Sequence, residues 1–231
     1  FNNVTMQYLK LNNGVEMPQV GLGTFLIPKE NLSKAIAEAY EMGYRQFDTA
    51  WRFHNEKEIA KALKDNGINR QDVFLTTKVN RDAFYVWPYK VGKKRFLNIP
   101  NFRSVKDVIQ ESFDNFGTDY IDLFQFHNPA VMPDPNDENG TYAAALLMKE
   151  KGYIKHIGIT NHRLPLAMDA VKSGYFETMQ FPFSYLSGEQ EKELVRKCKE
   201  HNMGFVAMKG LSGGLLTDAR AAYAFMTQFL G

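Results

Sequence analysis

The sequence predicts an α/β fold of the (β/α)8 TIM-barrel class, with strand eight absent from this chain. Three observations carry that expectation. Strand-like and helix-like segments alternate almost without interruption. The strand-like segments are apolar runs, as in a parallel sheet covered by helices. Glycine ends one helical stretch after another, at Gly43, Gly117, Gly152 and Gly174. The 231 residues, 44% hydrophobic and 23% charged, suit one such domain with a large core. No linker or low-complexity tract interrupts them, so residues 1–231 are expected to form a single, incomplete barrel domain.

The elements follow in order. Asn12–Asn13–Gly14 signals a hairpin, and VGLGTF (20–25) reads as the first buried strand. Lys29 to Met42 has helical spacing, with Leu32, Ile36, Ala39 and Tyr40 on one face. YRQFDTA (44–50) is the second strand, Asn55 to Leu63 a helix and VFLTTK (73–78) the third strand. Val105 to Phe116 is helical, before the strand YIDLFQFH (120–127). Thr141 to Lys151, Pro165 to Ser173 and Glu189 to His201 are further helices. They alternate with the strands IKHIGIT (154–160), ETMQFP (177–182) and GFVAMK (204–209). Ala219 to Phe229 reads as a last helix. Seven strands are counted where a closed barrel has eight.

Composition removes several function classes. A formal charge of +2 does not suit a general nucleic-acid or membrane-surface binder. Cys198 is the single cysteine, which rules out an intramolecular disulfide framework or a cysteine-rich metal site. No run approaches the roughly 20 apolar residues of a membrane span. The polar start FNNVTMQYLK does not read as a signal peptide, so a cytoplasmic protein is expected. No pair of histidines has metal-ligand spacing, and no metal is expected.

Two connections exceed the usual length, 80–103 and 128–140, and both follow strand C-termini, where barrels build their sites. The first interleaves Phe84, Tyr85, Trp87, Tyr89 and Phe96 with Lys90, Lys93, Lys94 and Arg95. Such a pattern can stack on bases, but in a near-neutral chain a lid over the mouth is the better reading, with Tyr85, Trp87 and Tyr89 as substrate-lid residues. Its cations would favour an anionic substrate.

Asp48, Lys78 and His127 each end a different strand. In a parallel barrel the strand ends converge on one mouth, so the three can meet despite their separation in sequence. A carboxylate there holds the ammonium, the ammonium favours ionisation of a neighbouring acid, and the imidazole orients a substrate oxygen. A lone Asp or Lys at a strand end more often caps a helix or faces solvent. Three at equivalent positions of successive units point to a site.

FDTAWRFHNEKEI resembles the aldo-keto reductase motif Asp-Thr-Ala-x-x-Tyr-x-Asn-Glu, matched at Asp48, Thr49, Ala50, Asn55 and Glu56. LTTK resembles that family's lysine strand and YIDLFQFHNP its histidine strand. GITN resembles the turn whose Thr-Asn pair binds the nicotinamide carboxamide, giving Thr160 and Asn161, and ETMQF places Gln180 at the family's other amide contact. MKGLSGGLLTD resembles the pyrophosphate loop, where Gly213 and Gly214 let backbone N–H groups approach phosphate. The likeness runs from about Leu9 to the last residue and is nearest to the bacterial subgroup that often carries an iron–sulfur tail, a tail this chain lacks.

The resemblance implies reversible, nicotinamide-dependent reduction of aldehydes and ketones, with NADP(H) expected in preference to NAD(H). Gly23, Thr24, Thr160, Asn161, Gln180, Lys209, Ser212, Gly213, Gly214 and Leu215 would bind the cofactor. Asp48, Lys78 and His127 would surround the family's tyrosine acid. The expected partner is a small-molecule carbonyl, with no nucleic acid or membrane involved; no oligomeric state is indicated.

The tyrosine position holds Phe53, which has no proton to give. Losing a general acid typically costs about 10²–10⁴-fold in rate. Three accounts stand open: a cofactor-binding form with attenuated turnover, a proton from His54, His127, Tyr85 or Tyr89, or a barrel recruited to other chemistry or none. A catalytically silent nicotinamide-binding barrel with a regulatory or redox-sensing role is the rival reading. Of the remaining histidines, His156 reads as a strand residue, His162 as a neighbour of the Thr-Asn turn and His201 as a cation suited to a helix end.

Overall fold

Apolar runs of this sequence become parallel strands, and the amphipathic stretches between them become helices. The computed structural model describes residues 8–10, 14, 16–18, 21–25, 27–79, 105–138 and 140–208. They fall into two units. The first comprises Phe1–Leu9, Glu16–His127 and Pro133–His156; the second comprises Lys10–Val15, Asn128–Met132 and Ile157–Gly231.

β1 (Tyr8–Lys10) and β2 (Glu16–Pro18) form a two-stranded sheet. The expected turn residues Asn12 and Asn13 lie outside the described residues. In the first unit the parallel strands are β3 (Gly21–Gly23), β4 (Gln46–Asp48), β5 (Phe74–Val79) and β6 (Ile121–His127). Helices α1 (Lys29–Glu41), α2 (Glu56–Asp65), α3 (Val105–Phe116) and α4 (Thr141–Glu150) alternate with them. The first two strands are shorter than their apolar runs, because hydrophobicity marks burial and not the end of a hydrogen-bonded ladder. Among the described residues VGLGTF contributes Gly21–Gly23, and YRQFDTA contributes Gln46–Asp48. Gly21 permits this pairing: a Cβ there would stand 3.0 Å from the Gln46 side chain.

α1 buries Leu32, Ile36 and Ala39 of its expected face, whereas Tyr40 is half-buried beneath the Arg45 guanidinium. These three, and Ile59, Ala62 and Leu63 of α2, are buried with Phe47, Leu75 and Phe124 of the sheet. All six residues of β5 are buried, as a parallel strand covered on both faces requires. Alternation then gives neighbours different surroundings: Lys78 reaches Asp48 on β4, whereas Thr77 reaches Glu56 on α2.

The second unit holds the rest of β7 (Ile154–Thr160), whose first residues belong to the first unit, and then β8 (Thr178–Pro182) and β9 (Gly204–Met208). Thr160 pairs with Gln180, and Gln180 with Val206, all parallel. α5 (Leu164–Ser173) and α6 (Glu189–Glu200) bury Ala167, Ala170, Val171, Leu194, Val195 and Cys198. Gly174 ends α5 in the left-handed conformation, φ +74°, that a residue with a Cβ resists. Burial pushes the Cys198 thiol up to about 12, so it is a packing residue, not a nucleophile. The helix expected over Ala219–Phe229 lies outside the described residues. Among the described residues no helix is long and apolar enough to cross a membrane.

One polar staple joins β5 to β6 at the end away from the candidate site. Arg70 pairs with Asp122 at 2.7 Å and donates to the Tyr120 and Val73 carbonyls at 2.9 and 3.0 Å. It lies over the Tyr120 ring at 4.1 Å. Asp122 also accepts the Leu75 N–H at 2.9 Å. Arg70→Ala leaves that carboxylate half-buried without its cation. It is expected to lower stability by about 1–3 kcal/mol, read as a fall in the urea midpoint at constant m-value.

Candidate active site

In the first unit Asp48 and His127 end β4 and β6, and Lys78 is the last residue but one of β5, where the sequence pattern places it at the end. The Lys78 side chain is only 5% exposed. A buried ammonium needs compensation close by, and two acceptors provide it: the Asp48 carboxylate, in an ion pair, and the Thr49 carbonyl at 2.9 Å.

Chain direction after β4 places the next side chain. Trp51–Phe53 form a 3₁₀ turn, and His54 reverses the path at φ +54° before Asn55 and Glu56 open α2. The Phe53 ring stands with its centroid 5.8 Å from Lys78 Nζ. It meets the His127 ring edge-on at 6.1 Å and the exposed Phe25 ring at 4.9 Å. Asp48, Phe53, Lys78 and His127 are therefore brought together. A cation near an aromatic face is attracted to it, but the phenyl ring offers no hydrogen-bonding atom. Trp51 donates its indole N–H to Glu111 at 3.1 Å, which fastens the turn to α3.

Behind the turn lies a buried carboxyl whose motif position was recognised but whose part was not. Glu56 is 1% exposed; it accepts from the hydroxyls of Thr77 at 2.8 Å and Ser112 at 3.1 Å, and from Asn115 Nδ2 at 3.1 Å. Desolvation raises its pKa above the ordinary carboxyl value, against the three hydrogen bonds, and Glu111 adds to the rise. No local signal marks it, because its neighbours in sequence are polar and its partners are distant along the chain.

The nicotinamide-turn residues lie in the second unit. Thr160 ends β7, Asn161 follows it, and Gln180 lies at the middle of β8. Asn128 holds this turn: its N–H donates to Thr160 O at 3.1 Å and Oγ1 at 3.0 Å, and its Oδ1 accepts the His162 N–H at 3.2 Å. Asn161 donates to Pro129 O at 3.0 Å and accepts the Arg163 N–H at 2.7 Å. Gln180 is 8% exposed, and its buried Oε1 has no hydrogen-bond partner among the described residues. Such an oxygen can accept a hydrogen bond from an N–H or O–H donor.

Gly23 ends β3, and Thr24 beside it is buried with its hydroxyl bonded to Asp48 O and Asn55 Nδ2, at 3.0 and 3.1 Å. Tyr85, Trp87, Tyr89, Lys209, Ser212, Gly213, Gly214 and Leu215 lie outside the described residues.

The sequence profile of the Aldo/keto reductase family matches residues 19–227. The chain belongs to that family. The aldo/keto reductase chain is 33% identical over 153 residues to an aldo-keto reductase of Mycolicibacterium smegmatis, covering 66% of this chain and 49% of that protein. It is also 33% identical over 156 residues to methylglyoxal reductase DkgA of Escherichia coli O157:H7, covering 68% and 50%. The chain spans about half the length of these curated relatives. A solved aldo/keto reductase from Brucella melitensis superposes with a TM-score of 0.68 at 30% identity, over 93% of this chain and 76% of that one. The alternating parallel strands and helices are thus those of a (β/α)8 barrel, seven of whose strands lie among the described residues.

The Glu56 carboxyl gives this aldo/keto reductase a testable pH signature. In the unfolded chain it ionises at its ordinary 4.5, and in the folded chain at a higher pH. Between the two values only the unfolded chain is ionised, so stability falls as pH rises through that window and levels off above it. Glu56→Gln is expected to remove that fall: relative to the parent, its urea midpoint climbs as pH rises above 4.5 and then levels off. A difference that stays constant across the range would assign the pH dependence elsewhere.

Proposed function

We propose that the chain is an NADP(H)-dependent oxidoreductase interconverting aldehydes or ketones and alcohols, with turnover attenuated by Phe53. One observation carries this reading. A buried Lys78–Asp48 pair faces the ring at position 53, with His127 on that ring's edge. An ammonium held there has little structural purpose, since burying an ion pair is seldom a source of stability. It has a chemical one: a cation beside a proton donor lowers the donor's pKa and stabilises negative charge on a carbonyl oxygen.

A bound dihydronicotinamide would supply the hydride. Thr160, Asn161 and Gln180 would hold its carboxamide, with the Gln180 oxygen accepting an N–H. His127 would orient the substrate carbonyl. Phe25 and Phe53 would keep water from its carbon. The phenyl ring cannot deliver the proton that the reduced oxygen needs, so the proton would come from another donor such as His127, and turnover would be attenuated. Methylglyoxal, named for the Escherichia coli relative, is a suitable first substrate.

The rival is a catalytically silent nicotinamide-binding barrel with a regulatory or redox-sensing role, and Phe53 is the observation that favours it. Titration with NADPH and with NADH, followed by quenching of Trp51 and Trp87 fluorescence, is expected to show saturable binding, tighter for NADPH. Gln180→Ala is expected to weaken that binding by about tenfold, the cost of about one hydrogen bond. Phe53→Tyr is expected to raise NADPH-dependent reduction of methylglyoxal by about 10²–10⁴-fold. Binding without any gain in that variant would favour the silent barrel, and no binding of either cofactor would remove both readings.

A further inference from the structure

Residues 49–55 leave β4, carry the ring at position 53 through the 3₁₀ turn and enter α2. The turn is three residues long, and His54 behind it occupies the left-handed region that non-glycine residues seldom enter. A segment of this kind has many conformations open to it unless something closes it. Here the closure is one side chain. Asn55 is 3% exposed; its Oδ1 accepts from the Thr49 hydroxyl and its Nδ2 donates to the Thr24 hydroxyl at 3.1 Å. Thr24 donates its N–H and its hydroxyl to the Asp48 carbonyl, both at 3.0 Å. Asn55, Thr49, Asp48 and Thr24 thereby form a closed ring.

Two members of the ring hold both acceptors of Lys78: the carboxylate of Asp48 and the carbonyl of Thr49. The Thr49–Asn55 bond also joins the start of the loop to its end, with Phe53 between them. An amide is suited to this position because it accepts on one side and donates on the other, which neither a carboxylate nor an alkyl group of the same shape does. We propose that Asn55 is a positioning residue of the reductase site, setting both the acceptors that hold the Lys78 ammonium and the place of the position-53 ring beside it. This rests on the reading of Lys78 and position 53 given above.

The test puts a reporter where the ring stands. In Phe53→Tyr a phenol is added to a ring whose centroid stands 5.8 Å from Lys78 Nζ, and a neighbouring ammonium favours its ionised form. The phenolate absorbance gained over the parent is therefore expected at a pH below about 10, the ordinary tyrosine value. Asn55→Ala in that background is expected to raise the midpoint by about one pH unit. Thr24→Val, which opens the other side of the ring and keeps Asn55, is expected to move it the same way. The two together should shift it less than the sum of each alone, because they break one network.

Midpoints unmoved by either variant, in chains that circular dichroism shows to be folded, would overturn the proposal. The reductase reading would survive that result, since NADPH-dependent turnover of Phe53→Tyr judges it separately. A midpoint of about 10 in Phe53→Tyr alone would also overturn the proposal, because there would be no lysine effect for Asn55 to maintain. If Asn55→Ala does not fold, the shift in Thr24→Val decides alone.

Discussion

Removing the ammonium of Lys78 from water costs several kcal/mol, and much of the first unit is arranged around meeting that cost. The Asp48 carboxylate lies within reach because β4 and β5 run parallel with Asp48 opposite Thr76, two residues before the lysine and on the same face of the strand. The Thr49 carbonyl comes from the next residue along, after the chain has left the ladder. On the other face of β5, Thr77 is tied to Glu56 on α2, so the strand that carries the lysine is held from both sides. The same lysine that demands so much polar support faces a ring with no polar atom, and in that mismatch the scaffold and its chemistry part company.

Much of this was legible in the sequence, for reasons that can be named. Period and composition revealed the alternation of strands and helices, because a doubly covered strand must be apolar on both faces and a surface helix on only one. Asp48, Lys78 and His127 were found by their positions at strand ends, and the first two form an ion pair. The extent of β3 and β4 was less legible: the apolar runs there outlast the hydrogen-bonded ladders. Least legible were the roles of Asn55 and Glu56. Their partners Thr24, Ser112 and Asn115 stand far away along the chain, and no local pattern links a helix head to such distant residues.

The second unit shows a related division of labour. Asn161 and Thr160 were singled out by the Thr-Asn dipeptide, yet Asn161 is bonded at both ends within the chain and Thr160 accepts from Asn128. Much of the work of shaping the turn falls to Asn128, a residue with φ +46° in the connection after β6. Gln180 contributes differently. Its carbonyl oxygen is buried without a partner among the described residues, a cost that a buried water or a ligand would relieve.

The ring that closes residues 49–55 has an evolutionary consequence. Because the backbone on either side of position 53 is anchored by Asn55, Thr49 and Thr24, the side chain at 53 is not itself part of what holds the loop in place. Gain or loss of a single phenolic oxygen there changes little that folding depends on. An exchange of Phe and Tyr at this position therefore takes one codon change and no rebuilding of the scaffold.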